Sequence, residues 1–330
     1  MNVAVTAVGG GVGQSIIKAL QRTTYSVVGI NSEALGAGLY ATSKSYLGFN
    51  ANDPKFISRL QEICSKENCK ILFPGLDVEL APLSKNIDEF KASGILPIVS
   101  DPTVIDICGD KMETNLFLKK NGFPYPKTYL LENYNGELDF PFILKPRKGG
   151  HRSIGLFRAN NEQEFEEILA SIEPSKYIVQ EYIEGDEFTC GTINFDGECK
   201  GVVLMKRELR NGDTIQAFVV RNNKLATFVR NVVDKLGPFG ACNVQLRIKN
   251  QVPYIFEFNA RCSGTTACRA LAGFNEPKMV CDYVLRNIKT PKFAIREIAI
   301  LRYWKELVID SAKTNDLIKQ GFAENRRAFL

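Results

Sequence analysis

Apolar and polar residues alternate along Tyr254-Ile255-Phe256-Glu257-Phe258-Asn259, and again along Asn243-Val244-Gln245-Leu246-Arg247. A period of two predicts two β-strands, and Lys249-Asn250-Gln251 between them reads as a turn. Paired antiparallel, the strands bring Gln245 and Glu257 to one face. Asn259 shares that face, and the same period puts Ile255 in register with it. A carboxylate, two amide oxygens and the guanidinium of Arg261 then lie close along the chain. Hard oxygen donors of this kind hold Mg²⁺ when phosphates supply the remaining ligands. The alternation alone fits an ordinary solvated sheet face equally well.

The rest of the chain alternates strand and helix patterns. Residues 2–7 read as a strand, followed by the glycine turn Val8-Gly9-Gly10-Gly11-Val12-Gly13, a helix over 14–21 and a strand over 26–30. That is the start of a Rossmann-like unit. It lacks a clean dinucleotide signature: the third glycine is missing, and Asn31 stands where a ribose-binding acid belongs. Residues 54–64 have helical spacing, 70–74 and 95–99 read as buried strands, and Asp77 is a candidate helix cap. A helix is predicted from Asp110 to about Asn121. A strand over 140–145 then runs into the basic glycine loop Arg147-Lys148-Gly149-Gly150-His151-Arg152-Ser153. Such a loop cradles phosphate or, read plainly, joins a hairpin. Asn161 caps the next predicted helix, and residues 177–185 form a strand entering a turn. Asp196-Gly197 centres a hairpin, 225–236 is helical up to Gly237-Pro238, and helices follow over 264–272 and 277–287. The apolar run 298–308 ends the fold, leaving 320–330 as a short helix or loose tail.

Composition narrows the function. The 330 residues carry a net charge of +5, too small for a dedicated nucleic-acid surface. Nine scattered cysteines with no Cys-x-x-Cys pair indicate reduced thiols and a cytoplasmic setting, and argue against a zinc site. No apolar run approaches the ~20 residues a membrane helix needs. The single histidine, His151, leaves no His-based triad.

The order of these pieces resembles the ATP-grasp superfamily, in particular the carbamoyl-phosphate-synthase-like carboxylate–amine ligases. The resemblance is carried by Asp110-Lys111, Ile143-Leu144-Lys145-Pro146, the Gly149-Gly150 loop, Gln180-Glu181-Tyr182-Ile183-Glu184-Gly185-Asp186-Glu187, Gln245, and Glu257-Phe258-Asn259-Ala260-Arg261. It implies an α/β fold, α+β in its C-terminal part. Residues 1–104 would be a Rossmann-like pre-ATP-grasp domain. Residues 105–184 would be the small ATP-grasp subdomain with its glycine-rich lid, and 185–330 the large subdomain with the metal site. ATP and Mg²⁺ are the implied cofactors, two ions of the latter, with Mn²⁺ as a substitute. Lys111 and Lys145 would meet the phosphates, together with Gly149, Gly150 and Ser153. Gln180, Glu181, Tyr182 and Ile183 would line the adenine, the second and fourth through their backbone, and Glu187 would take the ribose. Gln245, Glu257 and Asn259 would hold the metal. Arg261, with Lys145, would serve the reacting acyl phosphate. Three positions depart from the pattern: an amide at Gln245, Ala260 where proline is common, and His151-Arg152 in the lid.

The implied chemistry is activation of a carboxylate as an acyl phosphate, followed by attack of an amine. The expected partners are small amino-acid-like carboxylates and amines, with neither nucleic acid nor membrane, and a homodimer is compatible with them. Lys206, Arg207 and Arg210 either face the cleft or form a solvated basic edge. Phosphorylation of bicarbonate or carbamate, and ATP binding without catalysis, are the competing readings.

Overall fold

A parallel sheet opens the chain. β1 (Asn2–Val5) passes through the glycine turn into α1 (Gly11–Leu20). There follow β2 (Ser26–Asn31), α2 (Ala37–Tyr40), β3 (Lys44–Leu47), α3 (Phe56–Lys66), β4 (Ile71–Phe73), α4 (Leu80–Lys85), α5 (Ile87–Ala92) and β5 (Leu96–Pro97). The order is β3-β2-β1-β4-β5, all parallel. Val3, Ala4 and Val5 are fully buried, as a parallel sheet covered on both faces requires. Gly13 lets α1 press on the first turn, since a Cβ there would lie 2.6 Å from the Ala7 carbonyl oxygen. Asn31 turns its side chain back into that turn: Oδ1 accepts from the Gly9 amide at 2.9 Å, and Nδ2 donates to the Glu33 carbonyl at 2.8 Å. The computed structural model describes residues 1–150, 154–210, 212–303 and 305–325. His151, Arg152 and Ser153 of the glycine loop lie outside the described residues.

Two helices, α6 (Pro102–Gly109) and α7 (Lys111–Lys120), lead onward. Asp110 starts α7 by accepting from the Met112 and Glu113 amides. β6 (Thr128–Leu130), β7 (Phe142–Pro146), β8 (Phe157–Ala159), α8 (Glu162–Leu169) and β9 (Tyr177–Glu181) make a flap. Its antiparallel sheet runs β6-β9-β7-β8 and packs its own small core of Leu131, Phe142, Leu144, Ala159 and Val179.

The largest antiparallel sheet follows, with β10 (Asp186–Phe195), β11 (Glu198–Arg210), β12 (Asp213–Val220), α9 (Asn223–Leu236), β13 (Gly240–Lys249) and β14 (Val252–Asn259). After it come α10 (Thr266–Leu271), α11 (Glu276–Arg286), β15 (Ala299–Leu301), α12 (Ser311–Gln320) and β16 (Phe322–Glu324). The sheet order is β14-β13-β10-β11-β12-β15. Asp196 and Gly197 both take left-handed backbone, with φ of 55° and 77°, as a tight two-residue hairpin demands. α9 buries Leu225, Val229, Val232, Val233 and Leu236 at helical spacing, and ends where Gly237 turns left-handed at φ 71°. One core cluster joins Val3, Ile16 and Leu20 of the first unit to Ile193, Phe195 and Val280 of the third. The N-terminal unit is therefore packed onto the large sheet. No helix among the described residues is long and apolar enough to cross a membrane.

The structure corrects four expectations. Only Leu96–Pro97 of the 95–99 run joins the sheet. The 298–308 run yields the short strand β15, with Tyr303 and Val308 strongly exposed. The expected loose tail instead contains β16, which pairs antiparallel with β3 and completes the first sheet. Hydropathy cannot foresee that pairing, because a three-residue strand needs its partner edge to exist. Asp77 caps no helix. It opens a short 3₁₀ turn, and the capping acceptor is Glu79, whose Oε2 takes the Gly75 and Leu76 amides at 2.9 and 3.1 Å.

Candidate active site

β13 and β14 set the site's floor. Gln245 stands opposite Glu257, and Asn243 opposite Asn259. The register then slips: Leu246 pairs with Ile255, so Phe256 and Glu257 together oppose Gln245. This bulge reverses the expected alternation. Ile255 is fully buried with Phe258 in the core, while Glu257 and Asn259 stay half-buried on the opposite side. Amide hydrogen bonds knit the polar face. Asn259 Oδ1 accepts from Gln245 Nε2 and Asn243 Nδ2, each at 3.2 Å, and Asn259 Nδ2 donates to Glu257 Oε1 at 3.0 Å.

Two lysines approach from α7 and the flap. Lys145, on β7, is 6% exposed, and its Nζ donates to the Phe256 carbonyl at 3.4 Å, next to Glu257. Burial lowers its pKa to about 7, and the like charge of Lys111 adds to that, against the pull of Glu257 and Glu187. Lys111 is also buried and donates to the Gly149 carbonyl at 2.7 Å, which ties the end of the β7 segment to α7. Burial lowers its pKa too, opposed by Glu257, Asp77 and Asp110. Arg147 and Asp110 clamp the same corner, with Nε to Oδ2 at 2.8 Å. Gly149 and Gly150 have φ of 69° and 73°, a backbone few other residues adopt.

Glu187, at the start of β10, has both oxygens engaged. Oε1 accepts from Arg207 Nε and Nη2 at 2.9 and 2.6 Å, and Oε2 from Arg247 Nη2 at 2.9 Å. Arg207 Nη2 also donates to Gln245 Oε1 at 2.6 Å, so one guanidinium bridges Glu187 and Gln245. Of the three basic residues left open by the sequence, Arg207 thus faces inward, Lys206 pairs with Asp186 at 2.8 Å, and Arg210 is exposed. The Ile183 carbonyl accepts from Arg247 at 3.1 Å, and the Glu181 amide donates to the Lys127 carbonyl at 2.8 Å. Tyr182 has the Arg158 and Arg247 guanidiniums 4.2 and 5.2 Å from its ring centroid. Gln180 is buried and donates to Thr128 at 2.8 Å.

Arg261 follows β14 and is nearly buried. Its Nη1 donates to the Cys262 carbonyl at 2.8 Å, its Nη2 donates to Asp77 of the N-terminal unit, and its buried Nε has no hydrogen-bond partner. Burial works against its charge, but Asp77 and Glu257 outweigh that and raise its pKa. Behind the floor lies a fully buried ion pair, Arg269–Glu276, at 2.5 Å. Arg269 also donates to Asn243 Oδ1 at 3.1 Å, linking the pair to the amide chain that reaches Glu257. Asn243 and Arg247 share the Gln245 alternation and were legible in it. Arg269 gave one signal, a lone charge in a run of small residues. Asp77 showed only as a candidate cap, because its partner Arg261 lies far away in sequence.

Hydrogen bonds join Glu257, Asn259, Gln245, Arg207 and Glu187 in one chain, Lys145 meets that strand at the Phe256 carbonyl, and Glu257 acts electrostatically on Lys111, Lys145 and Arg261. Tyr182 and Ile183 reach the group through Arg247. Residues 108–265 match the family model of the ATP-grasp domain, and residues 4–98 match that of the PylC-like, N-terminal domain. The chain is 26% identical over 256 residues to an uncharacterized protein of Methanocaldococcus jannaschii, covering 73% of this chain and 64% of that one. It therefore spans slightly under two thirds of that relative's length. A D-alanine–D-alanine ligase of Coprothermobacter proteolyticus is 23% identical over 263 residues, covering 70% of this chain and 83% of that one. The crystal structure of N5-carboxyaminoimidazole synthetase from Staphylococcus aureus, complexed with ADP, superposes with a TM-score of 0.73 at 17% identity. That superposition covers 97% of this chain and 84% of the other, and shows a shared fold. Two family models thus match in succession along this architecture: the chain joins a PylC-like N-terminal domain to an ATP-grasp domain.

Proposed function

We propose that the protein is an ATP-dependent carboxylate–amine ligase. It forms an amide or peptide bond through an acyl phosphate and releases ADP and phosphate. The observation that carries this reading is the meeting of Lys145 with the Phe256 carbonyl beside Glu257, which sets the flap's buried amine against the strand that carries the oxygen donors. Lys111 and Lys145 supply positive charge for the phosphates, and the Gly149-Gly150 loop supplies backbone N–H groups and a lid. Residues 180–183 border the adenine end, and Glu187 faces the ribose, which needs one of its arginine-bound oxygens to be released.

Magnesium, which the family relationship implies, would be held by Glu257, Gln245 and Asn259 once Gln245 Oε1 leaves the Arg207 guanidinium and Asn259 Oδ1 leaves its two amide donors. One carboxylate and two amide oxygens suit a hard cation that takes its other ligands from phosphate and water. When bound there it neutralises triphosphate charge and polarises the γ-phosphoryl group. A substrate carboxylate oxygen bonds to the γ-phosphorus as the bond to ADP breaks. The amine nitrogen then bonds to the acyl carbon, phosphate leaves, and the nitrogen loses its extra proton. Arg261 steadies the acyl phosphate. The protein's work is positioning and charge neutralisation.

The D-alanine–D-alanine ligase relative supports amino acids as the first substrates to test. Phosphate release from MgATP is measured with pairs of amino acids and with bicarbonate alone. A strict need for two added substrates, and a loss of turnover of about 10²-fold or more in Glu257→Ala, are expected. Release with bicarbonate alone would assign carbamoyl-phosphate-type chemistry instead. Unchanged turnover in Glu257→Ala would refute the metal assignment.

A further inference from the structure

The Asp77–Arg261 contact joins residues far apart in sequence, and the turn that presents Asp77 is built to hold it still. Glu79 Oε2 collects three donors: the Thr6 hydroxyl at 2.6 Å and the Gly75 and Leu76 amides at 2.9 and 3.1 Å. Gly75 is pressed so close to β1 that a Cβ would lie 2.3 Å from the Thr6 carbonyl oxygen. Asp77 sits inside this pinned turn with half its side chain exposed. An exposed ion pair between two mobile side chains contributes little. Here one partner is fixed by a cap and the other is almost buried, so the pair costs little further ordering. The Cys262 carbonyl holds Nη1 of Arg261 and Asp77 holds Nη2, which fixes the guanidinium plane. The buried Nε is left without a partner.

We propose that Asp77 is a positioning residue: through it the N-terminal unit sets the orientation in which Arg261 meets the acyl phosphate. The proposal rests on the ligase reading. A site assembled this way is preorganised before substrate arrives, and its supporting residue need not touch substrate. It also makes reactivity depend on the docked N-terminal unit. Leu76 and Val78 of the same turn line a cavity of about 250 Å³ at the ends of β1 and β2, so a ligand there would lean on the turn that aims Arg261.

The test compares Asp77→Ala, Asp77→Asn and Asp77→Glu with wild-type protein. MgADP affinity, measured by calorimetry, is expected to stay within about twofold, because Asp77 bonds to Arg261 and acts on the phosphate-side Lys111 only through space. Substrate-dependent phosphate release should fall by roughly 10- to 100-fold in the alanine and asparagine variants, the cost of a misaimed group, and recover in part in Asp77→Glu. The Arg261 Nε–Hε NMR signal, assigned by its loss in Arg261→Lys, should move in Asp77→Ala. Wild-type turnover in Asp77→Ala, or an equal loss of MgADP affinity, overturns the proposal, and so does an unmoved Arg261 signal. If wild-type protein releases no phosphate with any substrate pair, it is the ligase reading that fails. The Arg261 signal then still decides whether Asp77 sets that side chain.

Discussion

Lys145 shows how a single residue can trade stability for charge. Its folded pKa of about 7 lies well below the ordinary lysine value, chiefly through burial. Between those two values the unfolded chain binds more protons than the folded one, so Lys145's contribution grows more favourable as pH rises. Below pH 7 the full cost of burying its charge remains. Lys145→Met should therefore raise the melting temperature at pH 7 and flatten its pH dependence between 7 and 10, while MgADP affinity falls. A lower melting temperature at pH 7 would contradict this account. Phosphate arriving at Nζ favours the protonated amine, so MgADP binding at pH 8 should take up protons. Calorimetry in buffers of different ionisation enthalpy measures that uptake directly.

Among the elements, β14 matters most, and its bulge is the feature the sequence hid. Alternation placed Gln245, Glu257 and Asn259 on one face, and the structure agrees. It also placed Ile255 there, and the structure puts Ile255 in the core, because the inserted Phe256 shifts the register by one. Local pattern determines which residues form a strand. The position of an extra residue depends on the neighbouring strand and leaves no trace in hydropathy. Deleting Phe256 restores simple alternation: Ile255 and Phe258 stay inward and Glu257 outward. The deletion variant should fold, as judged by circular dichroism, yet bind MgADP roughly 10-fold more weakly, because it removes the carbonyl that Lys145 meets. Wild-type affinity would show that the bulge serves no purpose in the cleft. The same contrast holds elsewhere. The Asp196-Gly197 hairpin and the Gly237 helix stop were legible because their chemistry is local. The meeting of Arg207 and Arg247 at Glu187 was not, because they reach it only across assembled strands.

For the molecule as a whole, the site depends on contacts between distant segments. Val3 and Leu20 share a core with Phe195, Val280 and Leu317. Ser15 accepts from the Ala267 amide at 2.7 Å, and Tyr25 donates to Asp282 at 2.7 Å. α12 carries the fully buried Leu317 and delivers β16 to the open edge of β3. Leu317→Ala should cost about 2–4 kcal/mol in urea denaturation, the usual price of a large-to-small change in a closed core. A change under about 0.5 kcal/mol, the range of surface substitutions, would mean that α12 is only loosely attached.

The pairing of β16 with β3 also bears on how the chain is made. A ribosome releases Lys44–Leu47 long before Phe322–Glu324, so the nascent first sheet leaves the exit tunnel with one flank unpaired. Until synthesis reaches the last strand, that flank is open to any other extended segment, including one from a neighbouring nascent chain.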